Sequence, residues 1–241
     1  MLAYARREPF PIVRRKSHKS MQFIFMLTRQ DRTVEDCLDA LELVLPTGVR
    51  HIGFKDVGVA RPVLRRLNEA IRAAGGTSYM EVVSTTRESC LDSVRNAAEI
   101  GVDRLLGGTL VDETLAILAD GPVAYFPFVG RPEGHPTRLG GTATAIADDC
   151  ARASDLGCAG VDLLAYRAFE AEPEEALRAA RGATRGELIV AGSIDSAERV
   201  RAVGAAGADA FTVGTAVFDG AFSPGGGDLA SQIADIIAAT G

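Results

Sequence analysis

The stretch A-A-G-A-D-A-F-T-V-G-T at residues 205–215 ends an amphipathic run, turns at a glycine and enters a short apolar run. Two earlier stretches follow the same order, A-E-I-G-V-D-R-L-L-G-G-T at 98–109 and L-G-C-A-G-V-D-L-L-A-Y-R at 156–167. A glycine after a helical run is a typical helix end, and an apolar run that follows it is typical of a strand. The repeat therefore predicts that helices and strands alternate along the chain.

Over the chain as a whole, these units included, eight short apolar runs alternate with eight amphipathic stretches. The predicted strands cover residues 23–27, 51–54, 78–83, 104–106, 123–128, 161–165, 188–191 and 210–213. The predicted helices cover 33–45 (with Asp31 as a candidate cap), 61–74, 86–100, 112–119, 142–156, 173–183, 196–206 and 229–239. Strands that alternate with helices imply right-handed crossovers and a parallel sheet.

Eight such units predict an α/β protein that closes into a single (β/α)8 TIM barrel over residues 21–241. The alternative is an open, doubly wound sheet. That fold calls for a G-x-G-x-x-G turn after the first strand, and L-T-R-Q-D at 27–31 is unlike it. Residues 1–20 carry six basic side chains against Glu8, and we expect them to form a disordered basic leader outside the barrel.

Each repeated unit has an aspartate, namely Asp103, Asp162 and Asp209, where a predicted strand begins. The strand beginnings of a parallel barrel lie on the face opposite the active site. We therefore interpret all three as structural. A catalytic acid is the alternative for Asp162.

Composition limits the classes of partner. The chain has a net charge of −6, and the leader contributes +5, so the remainder carries −11. An acidic barrel without tryptophan disfavours nucleic acid and anionic membranes. No run reaches the roughly 18 apolar residues of a membrane span. Four cysteines without C-x-x-C spacing indicate small buried side chains in a reducing, cytoplasmic protein, and a homo-oligomer stays open.

Glycines and hydroxyl residues end the last two predicted strands, in I-V-A-G-S-I-D-S-A-E-R-V at 189–200 and F-T-V-G-T-A-V-F-D-G at 211–220. Glycine lets backbone N–H groups approach an anion, and barrels often bind phosphate after strands seven and eight. Gly192, Ser193, Gly214 and Thr215 are therefore the predicted phosphate-binding residues. The alternative is that the glycines only permit tight turns.

This segment resembles the phosphate-binding end of the ribulose-phosphate-binding barrel superfamily, which includes histidine- and tryptophan-pathway isomerases and N-acylmannosamine-6-phosphate epimerases. The resemblance covers about 35 residues and is strongest in V-G-T-A-V-F-D-G. It implies a barrel, a phosphorylated substrate and phosphate contacts from the four residues just named. The resemblance does not imply a particular reaction. The histidine-pathway isomerases have an aspartate at the end of strand one, the epimerases a glutamate in strand seven and the decarboxylase branch a D-x-K-x-x-D pattern in strand three, and this chain has none of them.

Two predicted strands carry charges, in H-I-G-F-K-D-V-G at 51–58 and S-Y-M-E-V-V at 78–83. Side-chain alternation turns Lys55 and Glu81 into the barrel on neighbouring strands and turns Asp56 outward. A carboxylate beside an ammonium suits proton transfer next to a carbonyl, so both are candidate catalytic residues. The alternatives are a Schiff-base nucleophile at Lys55 or a purely structural ion pair.

Further basic residues follow other predicted strands. V-G-R-P-E-G-H-P-T-R-L-G-G-T at 129–142 predicts a cover over the site, or otherwise an irregular surface loop. Arg29, His135, Arg138 and Arg167 are candidate contacts of an anionic substrate, and His135 could also move a proton near neutral pH. The three scattered histidines predict no metal or cofactor, with Mg²⁺ on Glu81 and Asp56 as an alternative.

Together these features predict an enzyme that acts on a small phosphorylated sugar, sugar acid or related carbonyl compound. The expected reaction is an isomerisation, epimerisation or aldol-type cleavage through an enolate. The alternatives are a non-catalytic barrel that senses a phosphorylated metabolite, and a flavin-binding barrel that holds its cofactor at the same phosphate end.

Overall fold

The computed structural model describes residues 20–223 and 225–240. Apart from Ser20, the predicted basic leader lies outside the described residues. Within the described part, no helix is both long and apolar enough to cross a bilayer.

Strands and helices alternate much as predicted. The strands are β1 (Gln22–Met26), β2 (Thr28–Arg29), β3 (Arg32–Thr33), β4 (His51–Lys55), β5 (Thr77–Val82), β6 (Arg104–Gly107), β7 (Ala124–Phe126), β8 (Arg131–Glu133), β9 (Arg138–Gly140), β10 (Gly160–Leu163), β11 (Glu187–Val190) and β12 (Ala210–Val213). The helices are α1 (Cys37–Val44), α2 (Arg61–Ala73), α3 (Arg87–Ile100), α4 (Val111–Leu118), α5 (Ala143–Asp155), α6 (Pro173–Ala183), α7 (Ala197–Ala205), α8 (Thr215–Phe218) and α9 (Leu229–Thr240).

Eight parallel strands form the barrel, in the order β10-β11-β12-β1-β4-β5-β6-β7. The two ends of this sheet meet at a seam between β7 and β10. There the Asp162 amide donates to the Pro127 carbonyl at 2.8 Å, and the Ala159 amide donates to the Tyr125 carbonyl at 3.0 Å. The sheet is thereby closed, as the (β/α)8 prediction requires and as the open-sheet alternative does not.

Side-chain alternation in β4 and β5 is as predicted. Ile52 and Phe54 pack in the layer between strands and helices, whereas Tyr79 belongs to the separate cluster inside the barrel. Lys55 and Glu81 are register partners on these adjacent strands. Because the period of a strand is two, both charged side chains share the interior face.

The aspartates of two repeated units have the predicted structural role. Asp103 accepts a hydrogen bond from the Ser78 amide at 2.8 Å, and Asp209 accepts one from the Leu188 amide at 2.8 Å. Each aspartate precedes its own strand and ties it to the first residues of the preceding strand. They therefore stabilise the face of the barrel where the strands begin.

Asp162 differs from the other two aspartates. This residue is the third of β10, not the one before it, and its side chain is completely buried. The strand begins at Gly160, where a Cβ would lie 2.0 Å from the Glu187 carbonyl oxygen, so only glycine permits this close approach of β10 to β11. Asp162 therefore lies within its strand, whereas Asp103 and Asp209 each precede theirs.

Two hairpins stand on the rim where the strands end. The first pairs β2 with β3 and replaces the start of the predicted first helix, which begins only at Cys37 with Asp36 as its N-cap. The prediction that Asp31 caps this helix is therefore wrong. The second hairpin pairs β8 with β9, so the 129–142 segment is ordered and not an irregular loop.

All four cysteines are free thiols; Cys37 and Cys150 are buried, and Cys90 and Cys158 are half-buried.

Candidate active site

One cavity of about 640 Å³ opens at the carboxyl ends of the barrel strands. This volume is in the range of small-molecule sites, roughly 300–1,000 Å³. Predicted site residues from six separate segments line it: Lys55, Glu81, Arg138, Arg167, Gly192, Ser193, Gly214 and Thr215. The structure thus brings the predicted catalytic pair and the predicted phosphate end together in one space.

A buried charge cluster forms the floor of the cavity. The Lys55 Nζ lies 2.7 Å from Asp31 Oδ1 and 3.3 Å from Glu81 Oε2. The exposed fractions of these three residues are 5%, 2% and 2%, respectively. Burial of a carboxylate is costly unless donors surround it, so the ammonium group between them is what makes this arrangement stable.

Sequence reasoning missed Asp31 as a site residue, although it pairs with both cations of the cluster, Lys55 and Arg167. Besides Lys55, its carboxylate accepts hydrogen bonds from the Arg167 guanidinium at 2.5 Å and the Thr137 amide at 2.8 Å. Burial opposes ionisation, but Lys55 and Arg167 outweigh it and hold the pKa of Asp31 well below its usual range. Asp31 is therefore a permanent carboxylate that fixes the two cations.

The position of Asp31 depends on an unusual turn. Gln30 and Asp31 both adopt left-handed backbone angles, with φ of 49° and 59°, between β2 and β3. Two consecutive positive φ values are those of a two-residue type I′ hairpin, in which aspartate is a favoured residue. In the sequence this hairpin corresponds to T-R-Q-D-R-T at 28–33, in which Q-D forms the turn between the two short strands.

Glu81 differs from Asp31 in its proton affinity. Its carboxyl is buried, and this burial raises the pKa of Glu81, with the nearby Asp31 charge adding to the effect. Lys55 and Arg167 act in the opposite direction without outweighing the burial. A carboxyl group whose pKa is moved up toward neutrality is suited to take and return a proton.

The predicted phosphate end lies on the other side of the cavity. Gly192 and Ser193 follow β11 with φ of 78° and 56°, a left-handed pair that turns the chain sharply. Gly214 caps the short helix α8, which begins at Thr215. Among the described residues, no acceptor takes a hydrogen bond from the backbone amides of Gly192, Ser193 or Thr215. Such amides are available to an anion.

Arg167 connects the two halves of the cavity. Its Nε and Cδ lie 2.5 Å and 2.8 Å from where a Cβ on residue 192 would stand. Glycine at 192 therefore permits both the left-handed turn and the passage of this side chain to Asp31. The guanidinium also donates to the Thr137 carbonyl at 3.1 Å, which attaches the β8–β9 hairpin to the cluster.

The remaining predicted residues lie at the edge of the cavity or outside it. Arg29 is paired with Asp219 at 2.6 Å on the rim, and His135 is exposed in the β8–β9 hairpin and does not line the cavity. Arg138 lines the cavity and lies over the Phe169 ring. The Asp56 side chain points away from Glu81 and binds the Val83 amide at 2.9 Å, which removes it from the alternative Mg²⁺ site.

We predict that Gly214→Ala weakens phosphate binding. The new Cβ would lie 2.8 Å from the Thr28 carbonyl oxygen and 3.0 Å from that of Met26, and neither backbone atom can move aside cheaply. The α8 amides must shift instead, and losing one or two charge-assisted hydrogen bonds weakens binding by about tenfold or more. Calorimetric titration with inorganic phosphate measures the change.

Gly182→Ala is the matched control, because a Cβ there in α6 meets no atom within 4 Å. Equal phosphate affinity in the two variants would contradict the assignment of Gly214 to the phosphate end.

No protein-family model matches the chain, and no curated protein matches it. Solved structures do. A mutant tryptophan synthase α-subunit from Pyrococcus furiosus aligns with a TM-score of 0.64 and 14% identity over 90% of this chain and 98% of the other. Orotidine 5′-phosphate decarboxylase from Pyrococcus horikoshii gives 0.64 and 14% over 91% and 99%. Thiamine phosphate pyrophosphorylase from Pyrococcus furiosus gives 0.62 and 14% over 92% and 96%.

At such low identity, the similarity concerns the fold. It extends over nearly the whole of each chain, and the three neighbours are enzymes by name. The chain has a (β/α)8 barrel fold, as the alternation of its predicted strands and helices indicated.

Proposed function

We propose that this barrel is an enzyme that moves a proton next to the carbonyl group of a small phosphorylated sugar, sugar acid or related compound. The outcome would be isomerisation, epimerisation or aldol-type cleavage through an enolate or enediolate. The observation that carries the proposal is the buried Lys55–Glu81 pair in the same cavity as the phosphate end. Neither group alone would specify this chemistry.

In this proposal Glu81 is the base. Its carboxylate removes the proton on the carbon next to the carbonyl, and the C–H electron pair moves onto the carbonyl oxygen. The raised pKa of Glu81 favours proton uptake, and burial keeps water from competing for the proton. In an α-hydroxy carbonyl substrate, return of the proton to the former carbonyl carbon gives the isomer, with the hydroxyl proton passing to the former carbonyl oxygen. Return of a proton to the original carbon from the opposite face gives the epimer.

Lys55 stabilises the negative oxygen of the enolate. Its ammonium group has three protons, of which Asp31 accepts one at 2.7 Å and Glu81 faces another at 3.3 Å. The third is available to a carbonyl oxygen in the cavity. A Schiff-base nucleophile needs a free amine, whereas the Lys55 nitrogen is engaged by Asp31 and Glu81, so we assign Lys55 an electrostatic role in place of a nucleophilic one.

Binding energy comes from the opposite wall. The free amides at Gly192, Ser193 and Thr215 would hold the phosphate, and Arg138 would contact a further polar or anionic part of the substrate. A phosphate anchored at a fixed distance from the reacting carbon places that carbon between Glu81 and Lys55. We propose no metal or cofactor for this chemistry, and the cytoplasm as its setting.

The test has two stages. A thermal-shift screen of sugar phosphates and phosphorylated sugar acids finds ligands, and each ligand is then incubated with the protein in deuterated water. We expect at least one compound to raise the Tm and to exchange a carbon-bound hydrogen. Binding without exchange or product would favour the sensor alternative, and a yellow preparation would favour the flavin-binding one.

A further inference from the structure

A third carboxyl group lies inside the barrel, on the strand that leads to Arg167. Asp162 is completely buried, and neither oxygen of its side chain meets a hydrogen-bond donor among the described residues. Its backbone is fixed at the seam, since its amide donates to Pro127 and its carbonyl accepts from Val129. A carboxylate without donors is strongly disfavoured in such a place, whereas the uncharged acid is tolerated.

The charged groups that act on Asp162 come from several elements. Glu81 on β5 disfavours its ionisation, and Lys55 on β4 and Arg167 after β10 favour it. Burial and Glu81 prevail, so the pKa of Asp162 is well above its ordinary value. Burial also raises the pKa of the Tyr125 hydroxyl on β7, and the Asp162 charge acts in the same direction.

The charges of the cluster balance only if one carboxyl is protonated. Two cations, Lys55 and Arg167, face three carboxyl groups. Asp31 contacts both cations, and Glu81 contacts Lys55. Asp162 contacts neither, so it is the member of the cluster for which ionisation is least compensated.

We propose that Asp162 is a positioning residue for the reaction proposed above: it stays a neutral carboxylic acid while Glu81 ionises, and so leaves Glu81 as the base. When Glu81 takes the substrate proton, the new negative charge forms on the substrate oxygen beside Lys55, and Asp162 keeps its own proton. An ionised Asp162 would add a second negative charge to act on Glu81 and Lys55 and so make the enolate less stable. Asp162 does not line the cavity, so it acts through Glu81.

Infrared difference spectroscopy of the ligand-free protein tests the protonation directly. At neutral pH we expect the C=O stretching band of a protonated carboxylic acid that Asp162→Asn removes. In Glu81→Gln the band should disappear at a lower pH than in the wild type, because the negative neighbour is gone. Absence of the band in the wild type, or the same titration in Glu81→Gln, would overturn the proposal.

Thermal unfolding gives an independent readout with a definite sign. A carboxyl whose pKa is raised by folding binds its proton more tightly in the folded state, so stability falls as pH rises above the unfolded value of about 3.9. The loss continues until the folded pKa is reached. Asp162→Asn lacks this loss, and its Tm should exceed that of the wild type by a margin that widens as the pH rises above about 3.9.

Asp209→Asn is the matched control. Asp209 occupies the equivalent place in its repeat but accepts hydrogen bonds from Leu188 and Arg181, so this variant should have a lower Tm than the wild type at neutral pH. A lower Tm for Asp162→Asn as well would show a stabilising carboxylate and refute the proposal. Neither measurement needs a ligand, so failure of the sugar phosphate screen would count against the proposed function alone.

Discussion

Lys55→Met is expected to lower turnover of the substrate found by the exchange screen by about 10²–10⁴-fold, the range typical of groups that stabilise charge or move protons in the transition state. Methionine keeps most of the length of the side chain and removes its charge. The enolate would then form beside Asp31 and Glu81 with no cation between them, since the ammonium lies 2.7 Å and 3.3 Å from these two carboxyl groups. Initial rates and proton exchange into deuterated water measure the loss.

The same variant should be less stable, because Asp31 keeps Arg167 and loses Lys55. Removing one partner of a buried pair costs about 3–5 kcal/mol. The double variant Lys55→Met with Asp31→Asn removes both charges and should regain part of this stability without regaining activity. Arg61→Met, at an exposed pair with Asp92, should change the free energy of unfolding by only about 0–1 kcal/mol. Wild-type turnover in Lys55→Met would refute the catalytic assignment.

Local periodicity was sufficient to predict most of the fold. The predicted strand and helix bounds differ from the observed ones by one or two residues in most elements, because apolar spacing follows the strand and helix periods along the chain. The same periodicity placed Lys55 and Glu81 side by side, as their pairing across β4 and β5 confirms. Because side chains alternate along each strand, the sequence of each strand alone was enough to predict that Lys55 and Glu81 face the barrel interior.

Contacts between distant segments were not predictable in this way. Asp31 meets Thr137 and Arg167 across 106 and 136 residues of sequence, and no local pattern encodes those meetings. The β2–β3 hairpin was not predicted, because the residues after it have helical spacing and the predicted helix began at residue 33. Asp162 was grouped with Asp103 and Asp209 because its repeat has the same order of residues, but its strand begins earlier, at Gly160, where the close approach of β11 leaves no room for a side chain.

Glu81→Gln is expected to lower turnover by about 10²–10⁴-fold while leaving phosphate binding unchanged. Glutamine matches the shape of glutamate and can still accept a hydrogen bond from Lys55, so the fold should persist. Its amide cannot take the substrate proton. Calorimetry with inorganic phosphate and rate measurements on the same preparation separate the two effects.

The pH dependence gives a sharper result. A base must be ionised to act, and burial raises the pKa of Glu81 above its ordinary value of about 4.3. The kcat/KM of the wild type should therefore rise with pH through a limb that lies above pH 4.3, and the residual activity of Glu81→Gln should lack that limb. Asp56→Asn is the control, since Asp56 adjoins Lys55 but binds Val83 and Ser84 outside the cavity. It should lose stability and keep the limb; an unchanged limb in Glu81→Gln would assign the base to another residue.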